Sequence, residues 1–85
     1  MEANDVPLAE KIRCRLDADE LPRERPSKTW AGFGSGQPCA ACDQKIYPAQ
    51  VMYEVDSNEK TYHFHAGCHG LWVGVLIHRG LYKPE

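Results

Sequence analysis

The sequence predicts a small α+β domain, and three observations support this prediction. The chain has 85 residues, with six prolines and seven glycines, which leaves room for one small domain. An alternating apolar segment at 51–55 precedes a second strand-like segment and an apolar helical segment at 66–79. A core of this size seldom supplies more than ~3–5 kcal/mol, yet the chain holds four cysteines and four histidines. We therefore expect a bound metal to stabilise the fold.

Residues 1–26 are expected to form an N-terminal helical arm. The apolar residues of the segment 6–21 are spaced four apart, on one stripe of an amphipathic helix: Leu8, Ile12 and Leu16. Cys14 stands alone in this charged segment, away from the other cysteines. We expect it to be a bystander to any metal site.

Residues 27–37 are expected to be a glycine-rich connector. The surrounding stretch 22–38 has three prolines and three glycines in seventeen residues, and it shows neither helical nor strand periodicity. Trp30 and Phe33 lie within it. An aromatic pair of this kind more often covers a neighbouring core than binds a ligand, so we expect these two side chains to cover the core.

Residues 38–85 are expected to form the metal-binding domain. The expected elements, in order, are a strand at 51–55, a turn at 56–60, a second strand at 61–65, and a helix at 66–79 ended by Gly80. The two strands form a hairpin in this prediction.

Two pairs of metal-binding residue types occur in this domain. Cys39 and Cys42 are separated by two residues; after twenty-two intervening residues, His65 and Cys68 have the same separation. A two-residue gap lets a turn direct both side chains at one ion, and two such pairs complete the tetrahedron that zinc prefers. Four protein ligands leave no open position, so one structural Zn²⁺ is predicted. Residue type alone leaves iron as an alternative.

The choice of histidine depends on direction and spacing. His63 and His65 lie two apart on the predicted strand and share a face, so both can reach a metal. Spacing favours His65, which mirrors the cysteine pair, and leaves His63 as the alternative ligand or as a neighbour of the site. His69 follows Cys68 on the helix and projects about 100° away from it. His78 has no partner of metal-binding type nearby in the sequence.

This arrangement resembles a treble-clef zinc finger: a cysteine knuckle, a hairpin, and a helix whose first turn carries the last ligand. The ligand spacing, followed by Trp72, is similar to the first zinc module of a LIM domain and loosely to a poly(ADP-ribose) polymerase type finger. The segment 21–46 resembles small bacterial proteins of uncharacterised function that carry one such finger. The resemblance spans 38 to about 79, and no second ligand set follows Cys68. It implies a zinc-binding protein with one ion.

The first functional hypothesis is a structural zinc module for protein–protein interaction or regulation. The final helix is apolar on nearly all sides, and one hairpin covers only part of it. Either the N-terminal helix folds back over the rest, or a protein partner or second copy of the chain does so. A zinc enzyme is not expected, because the ligand set is already full.

The second hypothesis is a nucleic-acid-binding finger. Its support is a basic and aromatic N-terminal segment: Arg13, Arg15, Arg23, Arg25, Lys28, Trp30 and Phe33. Interleaved acidic residues oppose it, and the formal net charge of −2 gives no general attraction to nucleic acid or anionic membrane.

The composition also predicts a compartment. The first twenty residues are charged throughout, unlike a secretory leader. The longest apolar run, 71–77, is shorter than the ~20 residues that cross a bilayer. We expect a cytoplasmic protein without a membrane partner, with thiols available for metal rather than disulfides.

Overall fold

The computed structural model describes residues 7–24, 26–57 and 59–82, which form two helices and one three-stranded antiparallel sheet. The elements in chain order are α1 (Leu8–Asp17), β1 (Lys28–Phe33), β2 (Val51–Ser57), β3 (Lys60–His65) and α2 (Ala66–His78). The strand order is β1-β2-β3. The predicted α+β class is confirmed.

Helix α1 is the amphipathic helix that the sequence predicts. Its apolar stripe faces the core, with Leu8 partly buried and Ile12 and Leu16 fully buried. The helix ends at Asp17, four residues earlier than expected, because Asp19 adopts a left-handed conformation with φ 63°. The amide groups of Asp19 and Glu20 bond back to carbonyls of the last helical turn, which stops the helix.

Strand β1 lies where the sequence predicts a connector without a strand, so that prediction is wrong for 28–33. All six residues of β1 are exposed, and β1 is held by backbone pairing with β2 from Lys28↔Asp56 to Phe33↔Val51. A strand that buries no side chain needs no alternation of apolar and polar residues. Trp30 is 47% exposed and Phe33 66% exposed, so the expected covering role of these aromatics is also wrong.

The hairpin of β2 and β3 is confirmed, with strands longer than expected and a shorter turn than 56–60. The strands pair as far as Ser57↔Lys60. Val55 and Phe64 are fully buried, whereas the cross-strand pair Glu54 and His63 is half-buried.

Helix α2 follows β3 without a loop and supplies the centre of the core. Trp72 and Leu76 are fully buried, and the ring of Phe64 stacks on Trp72 with centroids 5.1 Å apart. Leu71, one residue before Trp72, is 42% exposed. Gly80, with φ 75°, ends the helix as predicted, because its amide and the next one bond to carbonyls of the last turn.

The N-terminal segment packs on α2. Ile12 and Leu16 of α1 belong to the same core as Trp72, whose indole N–H donates to the Pro22 carbonyl at 3.0 Å. The arm therefore covers a face of α2 that the hairpin leaves open. As domain boundaries, the divisions between 26 and 27 and between 37 and 38 stay predictions.

Neither described helix has both the length and the apolar character that crossing a bilayer requires.

Gly34 follows β1 at a point of close backbone approach. A Cβ built on Gly34 would overlap the carbonyl group of Ile46, whose side chain is fully buried. Only glycine fits there without movement of the chain. This contact fixes the segment after β1 against the segment that leads to β2.

We expect Gly34→Ala to lower the free energy of unfolding by about 1–3 kcal/mol, because overpacking moves the Ile46 backbone. Gly74→Ala is the control, since a Cβ there meets nothing within 4 Å. In the helix interior it should raise stability by roughly 0.5–1 kcal/mol. Denaturant unfolding of both variants tests this, and a neutral Gly34→Ala would contradict it.

Candidate metal centre

The structure brings the four predicted side chains together. The ligand atoms of Cys39, Cys42, His65 and Cys68 all lie within 4.8 Å of one another. His65 Nδ1 is 3.4 Å from the Cys42 sulfur and 3.8 Å from the Cys68 sulfur. Metal–ligand bonds of ~2.3 Å to sulfur and ~2.0–2.1 Å to nitrogen give tetrahedron edges of roughly 3.6–3.8 Å. The group can therefore hold one metal ion.

A tight turn positions the cysteine pair. Pro38 and Lys45 form an antiparallel bridge at its base, and the amide of Asp43 donates to the Cys39 carbonyl at 2.9 Å. Asp43 is in the left-handed region with φ 68°, which reverses the chain directly after Cys42. The turn directs both sulfurs toward one point.

Helix α1 holds this turn from outside. The guanidinium of Arg15 donates to both carboxylate oxygens of Asp43 and to the Ala40 carbonyl at 2.9 Å. Lys11 lies 3.5 Å from the same carboxylate. The hydrogen bond from Arg15 lowers the pKa of Asp43. The residue pattern predicts Arg15 only as part of a basic cluster, because its partner lies 28 residues away.

His65 is oriented by its second ring nitrogen. It is the last residue of β3 and the cap of α2, and its Nε2 lies 3.0 Å from the Lys45 carbonyl oxygen. A carbonyl only accepts a hydrogen bond, so Nε2 carries the proton and Nδ1 keeps its lone pair. A histidine that binds metal through one nitrogen typically donates from the other in this way.

The thiols differ in their tendency to ionise. Burial opposes ionisation of Cys39, but backbone N–H groups of His65, Cys42 and Ala41 outweigh it and lower its pKa to about 7. Burial, together with the nearby charge of Cys39, raises the pKa of Cys42 and of Cys68. A bound divalent cation reverses this effect, because a coordinating thiol is deprotonated outright. The donor set thus fits a cation and is poorly suited to three free thiolates.

The other histidines have different neighbours. His63 Nε2 lies 3.5 Å from a Glu54 carboxylate oxygen, and the His63 carbonyl accepts a hydrogen bond from the Ala40 amide at 2.7 Å. His63 is therefore outside the four-residue group, though its backbone supports the cysteine turn. His69 stacks on Tyr53 with ring centroids 4.4 Å apart, directed away from the group as expected. Two further residues are exposed and outside the group: Cys14 and His78.

The fold and this group define a small α+β protein with three cysteines and one histidine that can bind a metal ion. The chain matches no protein-family model, no curated protein and no solved structure. Function is therefore inferred from the geometry of the group and of the surfaces around it.

We expect Asp43→Ala to be less stable than Asp43→Gly by about 1 kcal/mol. Both variants lose the Arg15 contact, but only alanine keeps a Cβ in the left-handed region, which costs roughly 1–2 kcal/mol. Denaturant unfolding of the two metal-loaded variants, compared side by side, measures the difference. Equal stabilities would show that the conformation of Asp43 is not a constraint on the turn.

Proposed function

We propose that Cys39, Cys42, His65 and Cys68 bind one Zn²⁺ and that this ion stabilises a treble-clef type finger. The proximity of the four donor atoms, with His65 Nδ1 free to coordinate, is the observation that carries the proposal. Thiolate and imidazole ligands suit zinc better than they suit cations that prefer oxygen. The order of knuckle, hairpin and helix supports the resemblance to the first module of a LIM domain.

The proposed site is structural, and the protein is proposed not to be an enzyme. Four protein ligands fill a tetrahedral zinc site and leave no position for a water molecule. Cys39 is 1% exposed and Cys68 6% exposed, which favours a closed site. A zinc enzyme also needs a general base near the metal, and the carboxylate of Glu54, one residue that could serve, lies 3.5 Å from His63 Nε2.

The zinc module is proposed to serve protein–protein interaction or regulation. The support is an exposed group of apolar side chains on and beside β1: Trp30, Phe33, Tyr47 and Val51. Helix α1 already covers part of α2, so the exposed aromatics of the sheet are the better candidates for contact with a partner. Trp30 and Phe33 are three positions apart on β1 and lie on opposite faces of the sheet, and Phe33 is paired with the exposed Val51. Neighbouring apolar side chains exposed in this way are typical of interaction surfaces.

The ligand assignment is tested by metal analysis of His65→Ala beside His63→Ala. We expect His65→Ala to lose zinc and most of its folded structure, because structural zinc contributes on the order of 10–16 kcal/mol of apparent binding energy. His63→Ala should keep one zinc per chain and fold. Cys14→Ser, which changes an exposed cysteine outside the group, controls for loss of a thiol. Folding of His65→Ala together with unfolding of His63→Ala would contradict the assignment.

A nucleic-acid-binding finger is the second candidate. Trp30 and Phe33 are exposed, as base stacking requires, and Lys28 Nζ lies 5.9 Å from the centroid of the Trp30 ring. Two of the basic residues, Arg15 and Arg23, are paired with aspartates. The positive field available to a phosphate backbone is correspondingly weaker.

Gel shifts at low salt with single and double strands test this second candidate. If it is correct, binding should weaken steeply with salt, and Trp30→Ala should weaken it further by roughly 1–3 kcal/mol of lost stacking. Tyr47→Ala, an exposed aromatic outside the basic segment, should leave binding unchanged. Absence of salt-sensitive binding would remove this candidate.

A further inference from the structure

The outer edge of β1 is open for pairing. In the described part of the chain the sheet ends at β1, and all six of its residues are exposed. Natural edge strands are usually protected by prolines, several charges or bulges. β1 contains no proline, and its one charged residue is Lys28 at the first position.

The backbone direction of β1 defines which groups are available. The Gly34 amide donates to the Gln50 carbonyl at 3.0 Å, which continues the β1–β2 register by one pair. Alternate residues of an antiparallel strand bond to the same side. The even-numbered residues of β1 therefore bond to β2, and three residues direct their N–H and C=O groups outward: Thr29, Ala31 and Phe33.

We propose that β1 pairs antiparallel with β1 of a second copy of this chain, centred on Ala31. Two three-stranded sheets then become one continuous sheet across the two-fold axis. Ala31 lies opposite Ala31 of the partner subunit, and Thr29 lies opposite the partner's Phe33. These are the outward-bonding residues, so the backbone groups satisfy one another.

Side-chain sizes fit this register. Trp30 lies opposite the partner's Gly32, in a pair whose Cα atoms are about 4.5 Å apart. A Cβ on Gly32 would meet nothing within 4 Å, so the space above this residue is open for the indole. Cross-strand aromatics stabilise edge glycines by covering them. The exposed rings of Trp30 and Phe33 both gain cover, and no two bulky side chains face each other.

The charge pattern selects the antiparallel orientation. With pairing centred on Ala31, the two copies of Lys28 lie six residue positions apart along the sheet, about 20 Å. This distance exceeds the screening length of about 8 Å at physiological salt. A parallel pairing in register would place the two ammonium groups side by side, which is unfavourable.

In this proposal, the partner of the zinc module is a second copy of the chain. The proposal rests on the proposed function, because β1 is available for pairing only when the zinc module is folded. Zinc content is therefore measured on the samples used for the oligomer test. A zinc-free or unfolded protein would contradict the zinc proposal. A folded, zinc-loaded monomer would contradict only the proposed dimer.

The test is sedimentation equilibrium of the zinc-loaded full chain and of two variants, Ala31→Lys and Ala31→Glu. The wild type should dimerise with concentration. Each variant places like charges opposite each other and should raise the dimer dissociation constant roughly tenfold or more. A mixture of the two variants should restore pairing as a heterodimer, because opposite charges then face each other.

The control variant is Ala18→Lys, which adds the same charge at an exposed residue. Asp19, the next residue, lines a cavity together with Lys60 of β3. Because β3 is the edge of the sheet opposite β1, a charge at Ala18 lies away from the proposed interface, and the variant should dimerise like the wild type. The proposal is overturned by a wild type that stays monomeric, by dimers of Ala31→Lys as tight as those of the wild type, or by variants that fail to pair when mixed.

Discussion

The convergence of three sulfurs and one imidazole nitrogen within 4.8 Å is the constraint on which the rest of the structure depends. The four side chains come from the cysteine turn, the end of β3 and the first turn of α2. A cation at their centre would replace the mutual repulsion of the thiolates with attraction to a common point. It would thereby join segments that a core of this size holds only weakly.

The N-terminal segment is part of this construction. Ile12 and Leu16 fill the core beside Trp72, while Arg15 reaches from the same helix to the carboxylate that follows Cys42. One helix therefore packs on α2 and also supports the cysteine turn. The planar guanidinium binds both carboxylate oxygens at once and so fixes the orientation of the turn. The arm thus shapes the site without supplying any of the four ligand side chains.

Features that depend on residues close together in the sequence could be predicted from it. Features that depend on hydrogen bonds between residues far apart in the sequence could not. The two ligand pairs, the hairpin and α2 each follow from patterns within a few residues. Strand β1 has no such pattern, because its stability comes from hydrogen bonds to β2, and all of its side chains face solvent. The hydrogen bond of His65 to Lys45 joins residues twenty positions apart, so only the folded chain reveals why Nδ1 is the free nitrogen.

His65 ends β3 and caps α2, so no linker separates sheet from helix at the point where the metal would bind. A loop between two elements can move without displacing either of them. Here there is no such loop, so a displacement of the imidazole also displaces the start of the helix that carries Trp72. If zinc binds here, the free energy of unfolding rises with the logarithm of the ratio of the free zinc concentration to the dissociation constant. The supply of free zinc would then set how much of the folded protein is present.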